Sequence, residues 1–334
     1  MKNMKEITTF IDNSAKKLHD DLASISNKKS TPPKSLVHYA PPDVLHSILE
    51  GGVLWATDLR YTNDLSEISH SVQVVSSAFN NKITADNKRN CRKIKTNTLD
   101  GFLACPVAFV TERFADWMNH FDYYSVSFCE TERKISQWRA YAADGTGVAL
   151  KFDVSWTGKD QNETGEWTRI RVMYDDTPLE DISRRAIDFL ETLVKSRELK
   201  NLRKVQNAEK IVQYLITTTL VHLGPFMMRF KHNFFHEEDE WRIARVFVKG
   251  DETADIRHHS RRGVFTPYIP LPYRLRMKDR TKEAGEAAKG GPVPVLTEVI
   301  LGPRADSRNK DSLEAFFARK GADVKVRQQS APLR

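Results

Sequence analysis

The sequence predicts an α+β fold: a mixed, mainly antiparallel sheet with flanking helices and a helical insert at about 181–224. Three observations carry this. Short segments at 125–130 and 148–152 alternate apolar and polar residues, the two-residue period of half-buried strands. Residues 3–25 and 181–222 instead repeat their apolar residues at helical spacing. The strand-like and helix-like segments interleave irregularly along the chain, which favours a mixed sheet.

In the first helix, Ile7, Phe10, Ile11, Leu18, Leu22 and Ile25 supply the apolar stripe. Residues 28–34, with Pro32 and Pro33, break it and read as a linker, so 1–35 stands apart from a single domain over 36–334. A short strand follows at 36–40. Pro41, Pro42 and Asp43 start a helix whose stripe is Val44, Leu45, Ile48 and Leu49, and Gly51 and Gly52 end it. A second strand lies at 53–57, and a polar loop then leads into a helix near 65–79. Residues 98–122 read as helix, 125–130 as strand, and 134–143 as a helix with Trp138, Tyr141 and Ala142 on one side. A turn at 144–147 enters the strand at 148–152. Another strand is expected at 167–174, then two helices meeting near 203. Residues 226–235 and 238–248 are expected to pair as a hairpin. Residues 274–291, rich in Lys, Arg, Glu and Gly, read as an exposed loop. The end reads strand, helix, strand at 298–301, 311–319 and 322–327.

With 334 residues, 40% apolar, six Trp and seventeen Phe, the chain carries enough for a sizeable core and is not a disordered sequence. A net charge of +8 suits an anionic partner such as a nucleotide or nucleic acid. No apolar run approaches the roughly 20 residues that span a bilayer, and the N-terminus lacks the apolar core of a secretory signal. Cys91, Cys105 and Cys129 fit neither a zinc motif nor an even disulfide framework, so a reducing cytoplasm is the simplest compartment. The strings of zinc proteases, EF-hands, serine hydrolases and P-loops are absent.

The densest group of chemistry-bearing residues is His236 to Arg242, running into an apolar strand. Alternation puts Glu238, Glu240 and Arg242 on one face with Ala244, Val246 and Val248, and Trp241, Ile243 and Phe247 on the other. A carboxylate on a buried face is costly unless paired or employed. Glu240 is therefore either half of an ion pair with Arg242 or a catalytic acid on a rigid strand. His38 either hydrogen-bonds a sugar hydroxyl or is a core-edge histidine beside Tyr39. After Asn63, Asp64 caps a helix with Glu67 as the acidic half of a capping box, or Asp64 and Glu67 together hold a divalent cation. Trp138 and Tyr141 are an ordinary core stripe or an aromatic wall for a nicotinamide or adenine. The basic segments at 88–95, 197–204, 257–262 and 274–282 read as solvated faces.

In order along the chain come Val37-His38-Tyr39, Ile48-Leu49-Glu50-Gly51-Gly52-Val53-Leu54-Trp55, and Asn63-Asp64-Leu65-Ser66-Glu67. Then come Val126-Ser127-Phe128-Cys129-Glu130, Trp138-Arg139-Ala140-Tyr141, Gly147 to Asp153, Glu238-Asp239-Glu240-Trp241-Arg242 and Val299-Ile300-Leu301-Gly302-Pro303. This ordered series, over about residues 36–330, resembles the bacterial domain-of-unknown-function family 2971, whose members look like accessory or defence-associated proteins. More distantly, a first-strand His and a helix closed by Gly before a second strand resemble the start of ADP-ribosyltransferase domains. That resemblance implies NAD as substrate and a nucleic-acid or protein acceptor; the lack of a long apolar run argues for no membrane partner. The resemblance also implies His38, Ser127 or Tyr141, and Glu240 as the catalytic set, with Glu240 stabilising the ribosyl charge and His38 holding the ribose. Beside them Glu238 activates the acceptor or is solvated at the strand mouth, and Arg242 grips the pyrophosphate. Tyr39, Ser127, Trp138 and Tyr141 line the dinucleotide, and no metal is expected. The sequence departs from that pattern: there is no Ser-Thr-Ser motif, and the middle position falls on either Ser127 or Tyr141. A metal-dependent nuclease using Asp64, Glu67, Glu238 and Glu240, and a non-enzymatic sensor or interaction module, are the competing readings.

Overall fold

The computed structural model describes residues 4–27, 33–62, 67–86, 99–155, 167–200, 202–261, 263–279 and 293–330. The expected linker at 28–34 falls largely outside them. So do Asn63, Asp64, the basic segment 88–95 and residues 280–291 of the expected loop at 274–291. No helix among the described residues is long and apolar enough to cross a membrane.

The fold is α+β, as the sequence predicts: a mixed, mostly antiparallel, curled sheet flanked by helices. Helix α1 (Met4–Asn27) buries Ile7, Ile11, Leu18 and Leu22. Strand β1 (Ser35–Ala40) leads to α2 (Pro42–Gly51) and β2 (Val53–Asp58). Proline early in α2 fits a position whose N–H has no helical partner. Gly52 ends that helix at φ 63°, in the left-handed region, and its N–H donates to Ile48 O at 3.0 Å. Helices α3 (Glu67–Asp86), α4 (Leu99–Ala104) and α5 (Pro106–Met118) follow. The expected single helix at 98–122 is thus broken before Pro106. Strand β3 (Phe121–Cys129) starts four residues earlier than expected, because Phe121 to Tyr124 are drawn into pairing with β6.

Helix α6 (Ile135–Tyr141), β4 (Val148–Asp153) and β5 (Thr168–Arg171) lie where expected. The helical insert is α7 (Thr177–Lys195) and α8 (Ala208–Met227), two helices joined by a short 3-10 segment at Leu202–Lys204. The expected hairpin between 226–235 and 238–248 does not form. Residues 226–227 end α8, Phe230 bridges to Met173, and Asn233–Glu238 is a 3-10 turn. Strand β6 (Glu240–Val248) pairs instead with β3 along its whole length and with β5 on its other edge. Strands β7 (Arg257–Arg261) and β8 (Val264–Pro272) make a hairpin where the basic segment 257–262 reads as a solvated face. Short β9 (Arg274–Leu275), β10 (Val295–Leu301), α9 (Arg308–Arg319) and β11 (Lys325–Gln328) complete the chain. The last three are a parallel crossover, the strand–helix–strand order the sequence predicts.

The sheet runs β11-β10-β4-β1-β3-β2-β8-β7, with β6 and β5 on the opposite edge of β3. Ala244 and Val246 join the core under the helical layer of α1, α3, α5, α7 and α8. Trp241, Ile243 and Phe247 join the core on the other face, beneath α2 and α9. This is the two-face division that alternation along β6 predicts. Cys129 is a free buried thiol. Cys105 is disulfide-bonded, a crosslink where the irregular spacing argues only against a framework.

Candidate functional site

Strands β1 and β2 share one edge of β3 without filling it. Thr57 pairs with Ser125, Asp58 with Tyr124, and Val37 with Cys129. Between these points, at 126–128, the edge is open. Arg60 holds the β2 side of the opening. Its guanidinium binds Asp58, Nε to Oδ1 at 2.9 Å, and reaches Asp122 on β3. A cavity of about 400 Å³ passes through the gap, within the roughly 300–1,000 Å³ range of small-molecule sites.

His38 sits in this opening. Its Nδ1 lies 2.9 Å from Ser127 O. A carbonyl only accepts, so Nδ1 carries the proton and the neutral ring leaves Nε2 as an acceptor. Burial lowers the imidazole pKa, against the smaller opposing effect of that carbonyl, and so favours the neutral form. Strand register puts His38 on the face of Leu150, under α2, whereas Val37, Cys129 and Glu240 share the other face. The two candidates therefore line one cavity from opposite sides of the sheet, and they do so only because the sheet is parted between them.

The acids converge on two cations. Arg242 donates from Nε to Glu240 Oε1 at 2.8 Å, from Nη2 to Glu240 Oε2 at 3.0 Å, from Nη1 to Met228 O at 2.8 Å, and also to Glu67. Lys231 donates to Glu238 Oε2 at 2.6 Å and to Glu240 Oε2 at 3.1 Å. Burial by itself would raise the Glu240 pKa, but Arg242 and Lys231 outweigh it and bring it down to about 2. Burial pushes Glu67 up; the Arg242 guanidinium opposes this only in part, and the Glu240 charge adds to it.

Glu240 is thus the first residue of β6, 3% exposed, with both oxygens engaged. Glu238 is not on the strand, as the alternation implies, but at the end of the 3-10 turn. Asp239 follows it at φ 47° and swings the chain into β6. Glu238 lines the cavity, and Tyr141 donates to its Oε1 at 2.7 Å. Lys134 anchors the turn from below, donating to Glu237 O at 3.1 Å and Glu238 O at 3.3 Å. Arg171 binds Asp239 at 2.9 Å.

The other expected residues divide clearly. Ser127 is exposed in the cavity wall. Tyr141 lines it too. Tyr39 borders it but is mostly buried, its hydroxyl donating to Thr131 O at 3.2 Å. Trp138 is not a ligand wall: it lies fully buried beneath Tyr39, edge to face at 5.0 Å, with its N–H donating to Glu132 O at 2.8 Å. Arg242 is not a free fork for a pyrophosphate, because Glu240, Glu67 and Met228 O already take its donors. Glu67 does not stand open for a cation but is buried against Arg242; the capping partner expected for it, Asp64, lies outside the described residues. Cys129 borders the cavity, but burial pushes its thiol up to about 12. Among the described residues no group of three or more His, Cys, Asp or Glu side chains is arranged to hold a metal ion. The space between these carboxylates is filled by an ammonium and a guanidinium.

Lys231 is the residue that sequence reasoning missed. Its neighbours carry no alternation that marks it, and it becomes legible only once the turn at Asn233–Glu238 folds it back onto two acids.

Residues 137–243 match the model of a family described as a protein of unknown function, DUF2971. The matched segment runs from α6 through β6 and so supplies Tyr141, Lys231, Glu238, Glu240 and Arg242. No curated protein and no solved structure matches the chain.

Proposed function

We propose that the cavity binds a nicotinamide dinucleotide and that the chain is an ADP-ribosyltransferase-like enzyme, moving the ADP-ribosyl group to a nucleic-acid or protein acceptor. The observation that carries this reading is the meeting, in one parted sheet, of a neutral His38 with Nε2 free to accept and an oriented Glu238 carboxylate.

The chemistry follows from those two groups. When the nicotinamide–ribose bond breaks, its electron pair leaves with the pyridinium ring, which becomes neutral, and positive charge builds on the ribosyl ring. A fixed carboxylate stabilises that charge more than it stabilises the ground state, and so lowers the barrier. Glu238 is better placed for this than Glu240. It sits at the cavity wall with 16% of its side chain exposed, and Tyr141 and Lys231 fix its two oxygens. Glu240 is committed to Arg242 and positions Lys231. His38 Nε2 accepts from a ribose hydroxyl. An acceptor attacking the ribosyl carbon gives up its proton to Glu238.

The test is release of nicotinamide from NAD, read by chromatography, in the full chain. Wild type should release it. Glu238→Gln should reduce the rate by at least about 100-fold, the order of a general acid–base contribution, with its unfolding midpoint retained. Full activity in Glu238→Gln, or neither NAD turnover nor ADP-ribose binding by wild type, overturns the reading.

A further inference from the structure

The cavity has a second arm that the charged cluster does not use. It is formed where β2, β3, β8 and β7 lie side by side. Thr57 pairs with Ser125, and His259 with Thr266. Directly paired residues share a face, and so do residues two apart on one strand. Trp55, Thr57, Ser125, His259 and Thr266 therefore belong to a single wall, and all of them line the cavity.

Two independent features of this wall point to a ligand. The first is Ser125. Its side chain is buried, 4% exposed, and its Oγ has no hydrogen-bond partner. Buried hydroxyls are nearly always bonded, and one aimed into a cavity without a partner is arranged for something that enters. The second is the ring pair above it. Trp55 and His259 stack with centroids 4.8 Å apart and planes 25° apart, and Tyr268 packs against both at 5.4 and 5.6 Å. The three rings pack on one another with no ligand present. The five wall residues include no acid, lysine or arginine, in contrast to the arm that holds Lys231, Glu238 and Arg242. A phosphate or a carboxylate finds no cation among these five; Arg257, which shares their face through its pairing with Tyr268, is bound to Asp255. A flat, uncharged ring with donors and acceptors on its edge finds a surface to stack on and hydroxyls to pair with.

We propose that this arm is a nucleobase subsite: Trp55 and His259 form its stacking wall, and the hydroxyls of Ser125, Thr57 and Thr266 read the edge of the base. The inference rests on the nucleotide reading of the cleft and adds where the base lies. It orients the ligand, with the base over the face of β2, β8 and β7 and the ribosyl carbon to be cleaved beside Glu238.

Isothermal titration calorimetry on the full chain with AMP, GMP, CMP and UMP, and with ribose 5-phosphate as the base-free control, tests it. At least one nucleoside monophosphate should bind saturably and ribose 5-phosphate should not. Ser125→Ala, which removes only the hydroxyl, should weaken that binding about tenfold, the worth of one hydrogen bond in a desolvated site. Trp55→Leu should weaken it further. Thermal unfolding of both variants reports whether the fold is intact. Should Trp55→Leu fail to fold, Ser125→Ala and Thr57→Val decide alone. Equal affinity of a monophosphate and ribose 5-phosphate, absence of binding by all four monophosphates, or unchanged affinity in Ser125→Ala overturns the subsite. The two readings fail separately. Base binding through Ser125 without NAD turnover keeps the subsite and removes the transferase. NAD turnover with an unchanged KM in Ser125→Ala and Trp55→Leu keeps the transferase and removes the subsite.

Discussion

Arg242 grips Glu240, two residues before it on the same strand, through both carboxylate oxygens at 2.8 and 3.0 Å. In a pleated strand, residues i and i+2 lie on one face, so this pair is a local consequence of sequence. Its surroundings are not local. Met228 O, Glu67 and Lys231 arrive from α3 and from the chain beyond α8 to complete the cluster. Glu240 is thus a keystone of the fold at the edge of a cavity, and substitutions there act first on stability.

Glu240→Ala should cost about 3–5 kcal/mol of unfolding free energy, because it removes the two-oxygen partner of a buried guanidinium and one of the two acids on a buried ammonium. Urea denaturation measures this. Glu238→Ala, which leaves Lys231 paired with Glu240, should cost less, about 1.5–3 kcal/mol, the range for losing a hydrogen bond to a charged group. Equal losses for the two would contradict the division of roles between them.

The acid limb of stability should have two separable parts. His19 on α1 is 6% exposed, its ring tilted against both His222 and Phe226 of α8 with centroids 5.4 Å away, and neither ring nitrogen bonded. Burial lowers its pKa to about 4; His222 and Arg229 push the same way, and Asp20 opposes. The unfolded imidazole binds its proton near pH 6.5 and the folded one only near 4, so stability is full above pH 6.5 and falls between 6.5 and 4. That interval is worth on the order of 3 kcal/mol at ~1.4 kcal/mol per pH unit. His19→Phe should flatten this part of the profile. Glu240 acts lower: its folded pKa is depressed to about 2, so its contribution is lost as pH falls from 4.5 toward 2. A His19→Phe profile identical to wild type between pH 6.5 and 4 would show that this histidine is not the linked group.

Cys129 should resist alkylation in the native protein. Its thiol is 5% exposed and pushed up to about 12 by burial, so almost none is thiolate at pH 8. Peptide mapping after iodoacetamide treatment should find Cys129 unmodified when folded and modified in urea. Rapid native labelling would mean that the floor of the cavity opens readily.

Gly147→Ala should destabilise by about 1–3 kcal/mol, the usual cost of overpacking. A β-carbon at Gly147 would overlap Ala40 O and lie 3.0 Å from Ala142 O and Pro41 Cα, all backbone atoms that cannot rotate away. Ala40 and Pro41 border the cavity, so AMP binding should weaken in the same variant. Unchanged stability would mean that the turn at 142–147 yields more easily than its packing implies.

What the sequence made legible was largely what one strand can report about itself. The alternation that sends Glu240, Arg242, Ala244 and Val246 to one core and Trp241, Ile243 and Phe247 to the other is a property of nine consecutive residues. The stop at Gly52 and the terminal strand–helix–strand are equally local. The hairpin β7–β8 was hidden because Arg257, His258 and His259 read as a solvated run and because Pro267, Pro270 and Pro272 argue against a strand. Ser125 illustrates the limit best. It is two residues from Ser127 on the same face and has the same composition signal. Only the pairing with Thr57 tells that Ser125 belongs to the wall with Trp55, and pairing between segments nearly 70 residues apart is not written in either segment.

The imidazole of His38 does more than face a ligand: it occupies the carbonyl that an adjoining strand would otherwise claim. It works as a spacer that keeps two neighbouring ribbons from zipping together. Any replacement at this position therefore alters the width of the aperture together with its chemistry. An inactive His38→Ala protein would by itself say nothing about catalysis, whereas Asn, which can still donate to Ser127 O, separates the doorway from the reagent.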